Sequence, residues 1–200
     1  ITNTTITNNT ANLGGGIYNV SSSPIFINTT ISNNSADQNG GGIINFSSSP
    51  TITNTTISNN SANNEGGGIY NASSSPTINN SIIWGNTKFS NQSVNNILNI
   101  NNSIPVYKYS LIQGSIVNSN WNSSFGTNGG NNIDVNPMFT NPANGDFTLT
   151  DESPVIDAGS NSLYGTSLAN DRDLAGNPRL AGATIDMGAY ENQTCPNISA

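Results

Sequence analysis

The residues best suited to chemistry in this sequence are carboxylates in its second half. Nine of the eleven Asp and Glu residues lie between Asp134 and Glu191, and the chain contains no His. The missing His removes the commonest general base and every Ser-His or Cys-His nucleophile pair. Asp151 and Glu152 are adjacent, so on an extended strand their side chains point to opposite faces. Neighbours of this kind do not form the acid/base pair of a glycosidase.

One group of oxygen-bearing residues loosely resembles a calcium-binding loop. Asp171, Asp173 and Asn177 alternate with other residues around a glycine turn. The pattern lacks the full spacing and the bidentate Glu of a calcium loop. The alternative is a turn in which the carboxylates accept backbone hydrogen bonds and pair with Arg172 or Arg179. We therefore keep Asp171, Asp173 and Asn177 as candidate metal ligands, with calcium as the metal, and we expect no other cofactor.

The overall composition excludes several classes of partner. The chain has four Lys and Arg residues against eleven Asp and Glu, a net charge of −7, and 39 of its 200 residues are Asn. Four cations cannot neutralise a run of phosphates, so a nucleic-acid partner is excluded. No apolar stretch approaches the roughly 18 residues of a membrane helix, so we expect no membrane insertion by this segment.

A fixed spacing of 26 residues organises the first half of the chain. The Gly-Gly-Gly triplets begin at Gly14, Gly40 and Gly66. The Ser-Ser-Ser-Pro runs end at Pro24, Pro50 and Pro76. A constant period in the twenties is typical of a solenoid, in which each repeat forms one coil and packs on the next.

The residue types within a repeat predict its local structure. Three short segments alternate polar, apolar and polar residues, as in Gly68-Ile69-Tyr70, Thr51-Ile52-Thr53 and Thr56-Ile57-Ser58. Each is predicted to be a short strand with its Ile inward. The Gly, Pro, Asn and Thr content disfavours helix. The predicted fold is an all-β parallel β-helix whose coils pair at about 4.8 Å, with three inward ladders: Ile17/Ile43/Ile69, Ile1/Phe26/Ile52/Ile78 and Ile6/Ile31/Ile57/Ile83.

The repeat weakens towards the C-terminus. Asn96-Ile97-Leu98-Asn99 begins a fifth copy, in which Val106 is predicted to replace Ile78 and Leu111 to replace Ile83. We therefore assign residues 1–114 to regular coils of about 26 residues. Residues 115–200 are assigned to irregular C-terminal coils and a closing segment of the same domain.

Two sets of outward side chains are candidate ligand-binding residues. Thr5, Thr30 and Thr56 are predicted to form a flat hydroxyl column beside an Ile ladder. Tyr18 and Tyr70, with Ile44 between them, are predicted to form an exposed apolar stripe. Flat Thr arrays resemble ice-binding faces, and exposed Tyr rings can stack on sugars. The alternative is that Thr and Ser simply suit exposed strands.

The repeats resemble those of polymorphic outer-membrane proteins and related bacterial surface β-helices. The resemblance lies in the Gly-Gly-Gly-Ile-x-Asn units and the following Thr-Ile-x-Asn-x-x-Ile-Ser-Asn-Asn sequence. The second half resembles the end of the choice-of-anchor Q family. The stretches that carry this second resemblance are Ser81–Asn86, Asn141–Phe147, Ser153–Gly159, Asp173–Arg179 and Ile185–Glu191.

These resemblances imply a right-handed, single-stranded parallel β-helix in a protein exported to the surface of a Gram-negative bacterium. They also imply further coils or a sorting domain outside these residues, and a partner that is a glycan or another cell-surface protein. Asp157 and Asp186 lie in framework motifs of the second family and are expected to cap turns. Similar β-helices include polysaccharide-active enzymes, but the regular coils offer only Asp37 and Glu65.

The function predicted from the sequence is that of a noncatalytic extracellular segment of a larger secreted protein. It would act in adhesion or as a structural spacer. The alternative is a carbohydrate-binding or ice-binding module, and a polysaccharide-active β-helix enzyme is the second alternative.

Overall fold

The computed structural model describes residues 1–89, 93–165 and 168–194. It confirms the predicted fold class. The chain is nearly all β, and its parallel sheets stack as a β-solenoid of about 4 turns with ~26 residues per turn. Among the described residues no helix is long and apolar enough to cross a bilayer.

Each regular coil contributes one strand to each of four parallel sheets, which we number in chain order. Sheet 1 contains Thr5–Thr7, Thr30–Ser32, Thr56–Ser58, Ile82–Trp84 and Leu111–Ile112. Sheet 2 contains Thr10–Ala11, Ser35–Ala36, Ser61–Ala62 and Thr87–Lys88, with Ser93–Val94 added antiparallel at its edge. Sheet 3 contains Ile17–Val20, Ile43–Phe46, Ile69–Ala72 and Ile97–Ile100. Sheet 4 contains Ile25–Ile27, Thr51–Thr53, Thr77–Asn79, Val106–Lys108 and Thr127–Asn128.

Sheet 2 was not expected, because the sequence pattern predicts three strands per coil. Its strands in the regular coils are only two residues long, as in Ser35–Ala36 and Ser61–Ala62. Two residues carry too little alternation to be recognised as a strand. The Ala side chains of these strands face inward and are fully buried, so the small residues allow the coil to turn tightly here.

The three predicted ladders form the core. Sheet 3 pairs Ile17 with Ile43 and Ile43 with Ile69, and sheets 4 and 1 pair their Ile residues in the same way. Phe26, Ile31 and the Ile residues stacked above them are fully buried. Burial of one such side chain contributes about 1.5–3 kcal/mol, so the ladders stabilise the stack coil by coil.

One member of the ladders departs from the prediction. Ile1 is 52% exposed, because the first coil packs against a neighbouring coil on one side only. Its contribution to the core is correspondingly small.

The predicted register of the fifth coil is wrong by one residue. Tyr107, not Val106, pairs with Ile78, and Ile112, not Leu111, pairs with Ile83. The reason is a longer turn between sheets 3 and 4. Earlier coils use one residue with a positive φ, such as Ser73, whereas this turn uses both Asn101 and Asn102.

Tyr107 is consequently fully buried and closes the stack together with aromatic residues from the next segment. Its ring centroid lies 5.7 Å from that of Trp121, and Trp121 lies 6.4 Å from Phe125. Trp121 belongs to a small hairpin of Ile116–Val117 and Asn120–Trp121, followed by the 3₁₀ turn Ser123–Phe125. These aromatic rings cover the C-terminal end of the core.

Residues 134–165 and 168–194, which we call the return segment, fold back over the outside of the earlier coils. They contain the hairpin Phe139–Asn141/Asp146–Leu149, the 3₁₀ turns Pro142–Asn144 and Leu168–Asn170, and the short α-helix Asn161–Tyr164. Hydrogen bonds join this segment to residues 80 to 144 positions earlier in the chain. The sequence predicts irregular final coils and a closing segment here, and that assignment stays a prediction. The hydrogen bonds show that parts of this region pack across the regular coils.

Candidate functional site

The outer face of sheet 3 is the first candidate site, and the alternation of its strands determines what it presents. In the strand Ile17–Val20, Ile17 and Asn19 face inward, whereas Tyr18 and Val20 face outward. The same alternation holds in the three strands that pair with it in register. The outward positions therefore form two straight columns along the β-helix.

A ladder of buried amides fixes the register of these columns. Asn19 donates to Asn45 at 2.9 Å, Asn45 to Asn71 at 2.8 Å and Asn71 to Asn99 at 2.8 Å. Each side-chain amide thus binds the same residue in the next coil. The outward side chains are held at the strand spacing of about 4.8 Å.

All eight outward positions of sheet 3 are apolar. They are Tyr18, Val20, Ile44, Phe46, Tyr70, Ala72, Leu98 and Ile100. The Phe46 ring lies between two tyrosines, with its centroid 6.0 Å from that of Tyr18 and 6.1 Å from that of Tyr70. Tyr18 is 51% exposed and Val20 53% exposed. This face is a flat, uncharged and partly aromatic surface.

One residue of the predicted stripe is not exposed. Ile44 is fully buried, because its side chain packs directly on Gly40 of the preceding turn. Phe46 takes its place as the surface side chain between Tyr18 and Tyr70. The prediction of an exposed Tyr18/Ile44/Tyr70 stripe is therefore wrong for Ile44.

The predicted hydroxyl column on sheet 1 does not form an open surface. Thr5 is exposed, but Thr30 and Thr56 are each only 1% exposed. The return segment covers them: Ala189 N donates to Thr56 Oγ1 at 3.1 Å, and Tyr190 contacts Thr30. The expected exposure of Thr30 and Thr56 is wrong, because residues far along the chain pack on this column. A regular exposed Thr array is thus missing from the described part of sheet 1.

Carboxylates of the return segment converge on one buried cation. Arg179 is fully buried, and its Nη2 donates to the carbonyls of Asp186 at 2.7 Å and Gly188 at 3.0 Å. The same nitrogen lies 3.7 Å from Glu191 Oε2. Asp186 itself accepts from Asp157 N at 2.8 Å. The cluster ties together loops of the return segment.

Burial shifts the ionisation of this cluster. It raises the pKa of Asp186 to about 6 and, together with the nearby Asp186 charge, raises the pKa of Glu191 to about 8. Burial also lowers the pKa of Arg179, opposed by the two carboxylates. The cause is the cost of holding charge away from water. Because their oxygens accept backbone hydrogen bonds, Asp186 and Glu191 act as turn caps in this arrangement.

The proposed metal ligands occupy a turn whose oxygens are already engaged. Asp173 is 2% exposed; its Oδ1 accepts from Asn177 N at 2.8 Å and its Oδ2 accepts from Glu191 N at 3.0 Å. Asp171 lies beside Tyr164. No group of three or more His, Cys, Asp or Glu residues suited to a metal occurs in the described ranges. Calcium binding by Asp171, Asp173 and Asn177 stays a prediction.

Sequence reasoning missed a second amide ladder that supports sheet 1. Asn34, Asn60 and Asn86 are fully or almost fully buried, and the Oδ1 of each accepts from both the backbone N and the Nδ2 of the preceding coil's Asn. The signal was present as the second residue of the Asn-Asn pairs at 8–9, 33–34 and 59–60. It was missed because Asn is so abundant in this chain.

The comparisons with known proteins support the architecture. A family model described as the Chlamydia polymorphic membrane protein (Chlamydia_PMP) repeat matches residues 3–20 and 54–72. Both stretches lie in the regular coils, and neither extends into the return segment. Searches of curated proteins and of solved structures gave no match. The chain is therefore a repeat protein of the parallel β-helix class, and its repeats are similar to those of a surface-exposed family.

Proposed function

We propose that this chain is a noncatalytic, surface-exposed segment of a larger secreted bacterial protein, and that it acts in adhesion through the outer face of sheet 3. The observation that carries the proposal is the outward face of sheet 3, on which Tyr18 and Val20 are exposed and neighbouring aromatic rings of Tyr18, Phe46 and Tyr70 lie about 6 Å apart. An exposed apolar surface of this kind marks an interaction site more often than chance. The similarity of the repeats to a surface-exposed family supports the extracellular location.

The rigidity of the solenoid supports adhesion to a repetitive partner. Two buried amide ladders hold the coils in register, so the strands that carry the rings keep a fixed spacing. A partner with its own repeat, such as a glycan or an elongated cell-surface protein, meets several rings at once. Weak contacts acting together in this way give useful avidity.

The test replaces Tyr18, which is 51% exposed, and the partly buried Tyr70, and it measures attachment. Tyr18→Ser combined with Tyr70→Ser should reduce binding of the 200-residue chain to glycan arrays or host-cell surfaces. The matched control is Ile25→Ser on sheet 4, because Ile25 is 56% exposed and also faces outward. Far-UV circular dichroism should show an unchanged fold for both variants.

Two results would contradict adhesion through this face. Equal attachment by the tyrosine variant and the wild type would favour the spacer role instead. Depolymerisation of a polysaccharide by the chain, abolished by changing Asp157 or Asp186 without loss of the fold, would overturn the noncatalytic assignment. No arrangement of carboxylates in the described residues favours that outcome, since those of Asp157 and Asp186 accept backbone hydrogen bonds.

A further inference from the structure

A cavity of about 410 Å³ lies between sheet 1 and the return segment. One wall is the end of the strand Ile82–Trp84 with the following Gly85, and the other is the hairpin that contains Phe139. Its volume falls within the range of about 300–1,000 Å³ that is usual for small-molecule sites. The face of sheet 3 does not take part in this cavity, and of the lining residues only Asn59 lies within the stretches that match the repeat model.

The cavity exists because the repeat changes at two adjacent positions. Trp84 pairs with Ser58 and occupies a column that holds Ser in the two preceding coils. Gly85 follows where earlier coils have Asn33 and Asn59, and it keeps their left-handed backbone with a φ of +69°. Trp84 adds an aromatic wall to the cavity, and Gly85 lacks the side chain that Asn would place there.

The missing side chain at Gly85 leaves Asn59 Oδ1 at the wall of the cavity. A Cβ at this position would lie 2.9 Å from Asn59 Oδ1, which is too close for an ordinary contact, and the next atom outside residues 84–86 would be Ser58 Oγ at 3.8 Å. Asn59 Nδ2 donates to the Pro142 carbonyl at 2.9 Å, which orients the amide and leaves Oδ1 facing the gap. The amide is therefore positioned as a hydrogen-bond acceptor.

The lining has the chemistry that recognises a neutral sugar. Trp84 and Phe139 supply aromatic surface, and Met138 adds an apolar contact. Thr150 also lines the cavity, and its hydroxyl oxygen is shielded from solvent and has no hydrogen-bond partner among the described residues. None of the lining residues is charged, so an ionic ligand would lose its hydration without a counter-charge.

We propose that this cavity binds one neutral pyranose unit, whose apolar face packs on Trp84 and whose hydroxyls bond Asn59 Oδ1 and Thr150 Oγ1. Aromatic side chains with an adjacent polar group suit such an amphipathic ligand. The site does not rest on the adhesive face of sheet 3. Each of the two proposals can fail without the other.

The direct test uses the indole N–H signals of the two tryptophans in a ¹H–¹⁵N spectrum of the full chain. Methyl glucoside, methyl galactoside and methyl mannoside are titrated separately, with sialic acid as the charged comparison. At least one neutral glycoside should shift the Trp84 signal in a saturable way. The Trp121 signal should stay fixed, because Trp121 lies outside the cavity in the hairpin Ile116–Val117/Asn120–Trp121. Its Nε1 donates to the Gly126 carbonyl at 2.8 Å.

Gly85→Asn is the variant that isolates the cavity. Asn tolerates a positive φ and occurs at the equivalent positions 33 and 59, so the backbone is kept while the side chain fills the cavity. We expect it to weaken glycoside binding at least about tenfold. Trp84→Ser, which restores the residue of the preceding coil, should abolish binding. The Tyr18→Ser/Tyr70→Ser protein should bind the glycoside as the wild type does.

Three outcomes would overturn the proposal. The first is that no neutral glycoside gives a saturable shift of the Trp84 signal. The second is that Gly85→Asn binds as tightly as the wild type. The third is that sialic acid competes equally, which would contradict the inferred preference for a neutral ligand.

Discussion

The buried amide of Asn60 offers the sharpest test of how the coils are held together. Its Oδ1 accepts from the backbone N of Asn34 at 3.0 Å and from Asn34 Nδ2 at 3.0 Å. Its Nδ2 donates to the Ile31 carbonyl at 2.9 Å and to Asn86 Oδ1 at 2.9 Å. One side chain thus makes four hydrogen bonds that span three coils, and it is fully buried.

Asn60→Leu keeps the approximate shape of the side chain and removes all four bonds. Two N–H groups of Asn34, one from the backbone and one from the amide, then lose their acceptor, and Asn34 is only 1% exposed. A buried unsatisfied donor costs about 1–3 kcal/mol, so the pair costs about 2–6 kcal/mol. The free energy of unfolding of an ordinary domain is about 5–15 kcal/mol, so this loss is a large fraction of its stability.

The measurement is urea unfolding followed by far-UV circular dichroism, with the free energy of unfolding extrapolated to water. The matched control is Asn9→Leu, at the exposed end of the same ladder. The Asn9 side chain only donates among the described residues, from Nδ2 to the Thr7 carbonyl at 3.1 Å and to Asn34 Oδ1 at 3.0 Å. Its loss therefore leaves no donor without an acceptor, and the backbone N of Asn9 still donates to Asn34 Oδ1 at 3.0 Å. We expect a loss below about 1 kcal/mol for this control. Equal losses for the two variants would refute the reasoning.

Three further predictions concern packing and charge. Gly42→Ala should destabilise the fold by about 1–3 kcal/mol, because its Cβ would lie 2.6 Å from the Gly68 carbonyl oxygen; urea unfolding measures this, and a neutral effect contradicts it. Ile57→Asp should cost several kcal/mol by placing a carboxylate in the dry core, whereas tolerance of the change in a thermal melt would count against the ladder. Stability should fall as pH rises from about 4 to about 8, because the folded pKa values of Asp186, about 6, and Glu191, about 8, exceed their ordinary values of 3.8 and 4.5. The folded state therefore holds more protons than the unfolded state between about pH 4 and about pH 8. Glu191→Gln should reduce the pH dependence of stability in the upper part of this range. Stability that rises with pH would contradict the raised pKa values of Asp186 and Glu191.

The regular coils were predictable because every coil repeats the same pattern of inward and outward residues. A 26-residue period, an inward Ile and a Gly or Asn turn fix the ladders without knowledge of any distant residue. The register predicted for the fifth coil was wrong because its turn contains one extra residue with a positive φ, Asn102. Tyr107 therefore occupies the place expected for Val106. One extra residue in the turn before a strand of period two shifts the register by one, which exchanges the side chains assigned to the inward and outward faces.

The candidate sites were less predictable, because they depend on contacts between residues far apart in sequence. The outward direction of Tyr18 and Tyr70 followed from alternation alone. The burial of Thr30 and Thr56 did not, since it is caused by residues 188–190 of a segment that carries no repeat. The cavity beside Trp84 could not be predicted from the sequence for the same reason. Its second wall belongs to a hairpin more than fifty residues later in the chain.

The return segment packs beside sheet 1 and not on sheet 3 because the turns that precede sheet 1 offer side-chain amides as hydrogen-bond partners. An irregular backbone needs hydrogen-bond partners wherever it is buried. The left-handed residues Asn28, Asn54 and Asn80 present their amides at the edge of sheet 1, next to the return segment. Asn80 both donates to the Ser160 carbonyl at 3.0 Å and accepts from Ser160 N at 2.9 Å.

Asn54 Nδ2 likewise donates to the Asp186 carbonyl at 3.2 Å. The outer face of sheet 3 has no comparable column, because all of its outward positions are apolar apart from the tyrosine hydroxyls. A buried irregular strand would lose its hydrogen bonds there. The polar turn column therefore closes the protein on itself, and Tyr18 and Val20 on the outer face of sheet 3 stay exposed.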